Sequence, residues 1–263
     1  MDAMDHDAIR LGSFLLTIVE PHKGSEVAYN RWYERDHFYS GCMIGPWTLA
    51  GGRFVATRDC KALRYPDENE ITGSAGRGSY VALYWIQDGR FRDWIEFGGA
   101  QVMWLHENGR MFAERDHTHT LLYRYEWGAW PTGDGTGVPA ELALDHPFAG
   151  LVAVIGETHD GVERTEVEAW HREAGLPSGA GACLSFSPLP LLADAPGDVP
   201  RTEGADRRFL DLFFLEDEPF GAWDDAFGGF GEAFEKSGLG RVLWASPFVP
   251  TIPGTDRYTD ELW

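Results

Sequence analysis

The sequence predicts an α+β chain: two tandem βαββαβ repeats whose antiparallel sheets pack face to face as one closed barrel with helices outside. Three observations carry this. First, the chain repeats itself. YNRWYERDHFYSG (Tyr29 to Gly41) aligns without a gap on VEAWHREAGLPSG (Val167 to Gly179), which places Trp32 on Trp170 and Ser40-Gly41 on Ser178-Gly179. At a second constant spacing Tyr80 to Ile86 falls on Phe209 to Leu215, Phe91 on Phe220 and Trp94 on Trp223. A repeat this long is a duplicated domain rather than a solenoid unit. Second, each half reads strand, helix, strand, strand, helix, strand, the split βαβ order. Third, the first strand is apolar on both faces. Phe14, Leu16 and Ile18 alternate with Leu15, Thr17 and Val19, so each sheet needs cover on two sides, and the sister sheet is the simplest second cover.

The elements follow in order. Leu11 to Glu20 is an apolar run with β-branched residues, a strand. Gly24-Ser25 opens a helix through about Phe38, with Ser25 as N-cap. Gly41 to Pro46 is a turn, Trp47 to Thr57 a strand, and the polar Gly- and Pro-containing stretch Asp59 to Gly78 a loop. Ser79 to Gln87 is a strand, Phe91 to Glu107 a helix, and His117 to Trp127 a strand. Gly128 to Leu144 has the Gly/Pro content of a linker. In the second half Gly150 to Glu157 is a strand, Glu163 to Ala174 a helix and Gly181 to Ser187 a strand. Pro188 to Asp206 is a proline-rich loop, Arg207 to Glu216 a strand, Phe220 to Lys236 a glycine-interrupted helix and Arg241 to Val249 the last strand. The expected divisions are 9–130 for the first repeat, 131–147 for the linker, 148–250 for the second repeat and 251–263 for a tail. Tyr258, Leu262 and Trp263 make that tail apolar enough to pack.

A formal charge of −20 repels phosphate backbones and anionic lipid. Nucleic acid and membranes are therefore not expected partners. Three scattered cysteines are too few for a disulfide framework or a zinc cluster and suit a reducing compartment. The acidic start MDAMDHDAIR has no apolar signal core, and no run approaches a membrane span. The expected setting is cytoplasmic. No Gly-x-Gly-x-x-Gly follows a strand, and neither a Walker A loop nor a Gly-x-Ser-x-Gly elbow is present, which argues against nicotinamide, ATP and serine-hydrolase chemistry.

Within the first repeat, Asn30-Arg-Trp-Tyr-Glu-Arg-Asp-His37 resembles the helix motif of the EthD-like branch of the dimeric α/β-barrel (ferredoxin-like) superfamily. In that motif a Trp-Tyr or Tyr-Trp pair is followed by an acid and then His. The second copy keeps Trp170 and Leu176-Pro177 but carries Gly175 at the His position. The resemblance implies a fused pseudo-dimer in which the first half keeps the polar site, with a further homodimer left open. The superfamily includes cofactor-independent monooxygenases, polyketide cyclases, lactone isomerases, dehydratases and haem-binding enzymes, so the resemblance narrows the fold far more than the reaction.

Tyr29, Tyr33 and His37 recur at helical spacing and share a face, with Trp32 and Asp36 beside them. An imidazole next to a tyrosine and a carboxylate suits general-base work, although a hydrogen-bonded His at a helix end is the plainer reading. The expected catalytic set is His37, Tyr33 and Asp36. Tyr29, Trp32, Trp85, Trp94, His117 and His119 are the expected substrate contacts. Trp85, Trp94, Trp104 and Trp127 read as core or pocket wall. Strand period puts His117 and His119 on one face, where they could supply two metal ligands, but spacing shows no third. His106 suits a helix C-terminus. His171, at the Tyr33 position of the second copy, marks a candidate altered pocket. The expectation is no cofactor, with haem on His37, His119 or His171, or a metal, as the alternative. The expected partner is a small hydrophobic or aromatic molecule. The expected activity is proton abstraction of the lyase, isomerase or cyclase kind; a cofactor-free monooxygenase and a non-catalytic binder remain the alternatives.

Overall fold

A computed structural model describes residues 9–131, 137–189, 207–221 and 223–263. The first half runs β1 (Leu11–Pro21), α1 (Glu26–Trp32), a π-helical continuation (Tyr33–Met43), β2 (Thr48–Val55), α2 (Arg58–Ala62), β3 (Glu68–Asn69), β4 (Gly73–Ser74), β5 (Tyr80–Gln87), α3 (Phe91–Glu107) and β6 (Arg115–Ala129). The second runs β7 (Gly150–Thr158), α4 (Arg164–Ala174), β8 (Ala180–Leu189), β9 (Arg208–Leu215), a π-helical turn (Asp224–Gly228), α5 (Phe230–Lys236) and β10 (Gly240–Pro250). Without the small α2 and the β3–β4 hairpin, both halves are βαββαβ. Eight strands close in the order β1-β5-β2-β10-β7-β9-β8-β6, every pair antiparallel. The two sheets form one α+β barrel within a single chain. None of the described helices is long and apolar enough to cross a membrane.

The alternation of β1 predicts two apolar layers, and both are present. Phe14, Leu16 and Ile18 point into the lumen with Trp85, Tyr123, Phe186, Phe214, Trp244 and Phe248, all almost completely buried. Trp85 on β5 meets Phe214 on β9, the strand directly opposite, with ring centroids 6.5 Å apart. The lumen is thus a packed aromatic core, as in other small barrels, and not a ligand channel. Outside the barrel, α1, its π-helical extension and α3 cover one sheet through Tyr29, Tyr33 and Trp94. Trp223, Phe227, Phe230 and Phe234 cover the other.

The two halves meet at seams of unequal length. β6 and β8 pair from Leu122 to Ala129, whereas β2 and β10 share only Val55↔Val249 and Phe54↔Pro250. The stretch expected to be a plain loop closes the short seam. It contains α2, capped by Thr57, whose hydroxyl accepts from the Cys60 amide, and the β3–β4 hairpin. Its Tyr65 bridges Ala245 of β10. The tail packs as expected: Leu262 is 1% exposed, and Asn30 donates to the Thr255 carbonyl at 2.9 Å.

Several local expectations change. Ser25 occupies the cap position, but its side chain makes no capping bond, and Glu26 bonds the Gly24 amide instead. Trp104, expected in the core or a pocket wall, is 46% exposed. The expected linker is partly β6, and the carbonyl of Ala140 within it accepts from Trp85 Nε1. β8 runs through Pro188 to Leu189, and residues 190–206 of the expected proline-rich loop lie outside the described residues. The last helical segment starts at Asp224 rather than Phe220.

His119 sits in the lumen, with Nε2 2.9 Å from the Tyr123 hydroxyl. Burial pushes its pKa down to about 4 from the ordinary value of 6.5. The folded state therefore disfavours the proton that the unfolded chain accepts. This contribution to stability is complete above pH 6.5 and is lost as pH falls toward 4, a change on the order of 3 kcal/mol. His119→Gln is expected to flatten that acid limb in urea melts compared at pH 4.5 and pH 7. An unchanged pH dependence would remove His119 as its source.

Candidate functional site

Trp32 ends α1, and the chain then widens into π geometry. In a π-helix residue i+5 comes over residue i, and here that places His37 parallel to Trp32, ring centroids 4.5 Å apart. The same indole lies parallel to Phe112 at 5.6 Å, and the Arg115 guanidinium stands 5.1 Å from its centre. Gly41 closes the other side: a Cβ there would lie 3.1 Å from His37 Cε1.

Of the expected catalytic set, only His37 has a buried group without a partner. Its Nδ1 has no hydrogen bond. Burial lowers its pKa to about 3, helped by the positive charges of Arg115 and His117. The ring is therefore neutral at pH 7. Tyr33 touches His37 only edge-on at 5.3 Å, and its hydroxyl turns to Tyr84 at 2.9 Å. Burial drives the Tyr33 pKa well above its ordinary value. Asp36 does not bond the imidazole. It takes a two-pronged contact from Arg110 and a 2.8 Å bond from Ser40, and Arg110 holds its carboxyl below the usual range.

A cavity of ≈ 600 Å³ opens beside this stack. It is bordered by Arg77 from the strap after the hairpin, His106 at the end of α3, Met111, Phe112 and Ala113 in the following connection, and Arg115, Asp116 and His117 at the start of β6. Neither His37 nor Tyr33 is part of this border. Phe112 is the link, because it lines the cavity and stacks on Trp32, which stacks on His37.

The expected substrate contacts scatter. Trp32 and His117 lie at or beside the cavity. Tyr29 is fully buried between Tyr33 and Tyr80. Trp94 packs on the sheet and donates to Thr48 Oγ1 at 2.8 Å. Trp85 and His119 are in the lumen. His117 and His119 separate because β6 carries a bulge at Thr118: Ile18 pairs with His119, but its neighbour Val19 pairs with His117. His117 thus faces the helix side, where Nδ1 meets Thr120 Oγ1 at 3.0 Å. The two histidines therefore do not converge on one ion. Among the described residues, no group of three or more His, Cys, Asp or Glu could hold a metal. Arg77, Met111 and Phe112 had no sequence signal, since they sit on connections whose course is set by long-range packing, and Arg115 is the first residue of β6, just outside the expected strand.

In the second half, His171 Nε2 lies 3.0 Å from Asp211 Oδ2, and the pair is 1% and 0% exposed. Trp127, Trp170, Phe213 and Phe230 surround the imidazole. The expected altered pocket is thus occupied by the chain's own rings. Haem ligation needs an imidazole nitrogen open to a flat apolar slot. His171 offers its Nε2 to Asp211 inside that ring cage, and His119 faces Tyr123 in the packed lumen. His37 is covered by Trp32 on one side and Gly41 on another. As arranged, these residues do not fit a haem.

No protein-family model matches the sequence, and no curated protein matches it. Solved structures do resemble the fold. A candidate chlorite dismutase, TA0507, superposes with a TM-score of 0.52 at 14% identity, covering 96% of this chain and 100% of that one. An anthrone oxidase-like protein gives 0.54 at 10% identity, over 93% and 94%. A candidate monooxygenase from Fusobacterium nucleatum subsp. nucleatum ATCC 25586 gives 0.51 at 8%, over 93% and 94%. At such identities the likeness speaks to architecture alone, and together with the strand order it shows that this chain has the dimeric α/β-barrel fold, closed within one polypeptide.

Proposed function

We propose that this chain is a cofactor-independent proton-transfer enzyme acting on a small aromatic or carbonyl-bearing molecule held in the cavity beside Trp32, with His37 as the proton acceptor once the Phe112–Trp32 stack that separates it from the cavity opens. The observation that carries this reading is the neutral, buried imidazole of His37 with Nδ1 unpartnered, one indole away from a cavity wall. Removal of a proton next to a carbonyl gives an enolate. Arg115 supplies positive charge and the cavity imidazoles hydrogen-bond donors for it. Elimination, isomerisation and ring closure all start from that step. The name of the anthrone oxidase-like neighbour makes anthrone the first molecule to try. We also propose that the two halves arose by duplication and that only the first, with the EthD-like helix motif, keeps a polar site.

A second reading, a non-catalytic binder, is favoured by one specific observation: the cavity border includes neither His37 nor Tyr33. Anthrone under nitrogen in heavy water separates the two. Proton removal at C10 followed by deuteron return labels that carbon with no net reaction, and NMR follows the label. Catalysed exchange by wild type that disappears in a folded His37→Ala protein supports the enzyme. Binding of anthrone with no catalysed exchange supports the binder.

A further inference from the structure

The cavity carries a charge pattern opposite to that of the chain. The protein bears a formal −20, yet Arg77, Arg115, His106 and His117 converge on this one space. The single carboxylate on its border, Asp116, is already engaged by Arg77 at 2.8 Å and by His22 Nε2 at 3.1 Å. The nearby Glu114 is held by His22 Nδ1 at 3.0 Å. Among the described residues no carboxylate pairs with Arg115, whose guanidinium rests instead over the Trp32 ring. The rest of the wall is apolar, with Met111, Phe112 and Ala113.

We infer that this cavity selects a planar aromatic carboxylate, its ring against Phe112 and its anionic oxygens toward Arg115 and Arg77. The inference rests on the cavity being the ligand site proposed above and names the class of molecule that site takes. Two features support it independently. A guanidinium without a carboxylate partner offers a fork that matches two carboxylate oxygens. The Phe112 ring beside it rewards a planar apolar body that can stack on it. A neutral ligand would leave that guanidinium without a counter-charge.

The test is isothermal titration of the full chain with 1-naphthoate and with its uncharged isostere 1-naphthamide. Wild type is expected to bind the acid roughly tenfold more tightly than the amide, the scale of one charge-assisted pair. Arg115→Gln is expected to abolish that preference and Arg115→Lys to restore part of it. Thermal melts confirm that each variant is folded, and if Arg115→Gln does not fold, the wild-type ratio and Arg115→Lys still decide. Equal affinity of wild type for acid and amide, or a preference that survives Arg115→Gln, overturns the charge selection while the cavity stands as a ligand site. Absence of binding by either probe overturns both this inference and the cavity reading.

Discussion

His37→Ala is expected to lower deuterium exchange into anthrone by about 100-fold or more, within the range that a positioned general base contributes. Anthrone affinity should stay within about threefold, because the cavity border does not include this side chain. The split matters more than the size. A mutation that merely loosened the Trp32 stack would weaken binding together with rate. His37→Gln keeps a polar group of similar reach without a basic nitrogen, so it should match His37→Ala in rate while keeping more of the packing on Trp32. The depressed pKa sets the pH behaviour: an imidazole with pKa about 3 is unprotonated throughout the neutral range. Exchange should therefore show no loss between pH 8 and pH 5 from protonation of this group. A rate that falls through pH 6.5 would assign the base to another histidine.

Arg64→Met is expected to cost about 3–5 kcal/mol of stability, because several buried acceptors lose their donor at once, each at about 1–3 kcal/mol. Arg64 is 4% exposed and lies where the strap closes the short β2–β10 seam. Its Nε donates to Ser246 Oγ at 2.6 Å, Nη1 to the carbonyls of Ala75 and Arg77, and Nη2 to Gly78 at 2.7 Å. The guanidinium also stands over Trp244 and Phe248, at 5.6 and 5.4 Å from their centres. Burial lowers its pKa to about 10, so it stays charged at pH 7. Methionine replaces the stem but leaves three carbonyls and a hydroxyl without their donor. Lysine keeps the charge but not the planar fork, so Arg64→Lys should also lose stability. Urea denaturation measures both. A loss below about 1 kcal/mol for Arg64→Met would show that the strap does not depend on this residue.

What the sequence shows of this fold is what local periodicity can encode. The two apolar faces of β1 foretell a lumen layer and a helix layer, and Trp94 and Trp223 hold matching buried places in the two halves. In the tail Leu262 is buried as its composition suggests, whereas Trp263 is exposed. The site is less legible, for physical reasons. A 3.6-residue period places Tyr33 and His37 on one face, but the π-helix turns Tyr33 toward Tyr84 and His37 toward Trp32. A period of two puts His117 with His119, and one extra residue at Thr118 parts them. Asp36 stands next to His37 in sequence, yet Arg110, in the connection just past α3, claims its carboxylate. The cavity's basic residues come from the strap, the end of α3 and the start of β6, which are far apart in sequence and meet only in the folded barrel.

The central claim is that His37 and the cavity form one site. Long-range nitrogen–proton correlation NMR of the histidine-labelled protein, with and without 1-naphthoate, tests it most directly. The His37 ring is expected to stay neutral from pH 7 down to pH 5, with nitrogen resonances that move together with those of His106 and His117 when 1-naphthoate binds. A His37 that titrates near 6.5, or that stays still while the cavity histidines respond, would contradict it.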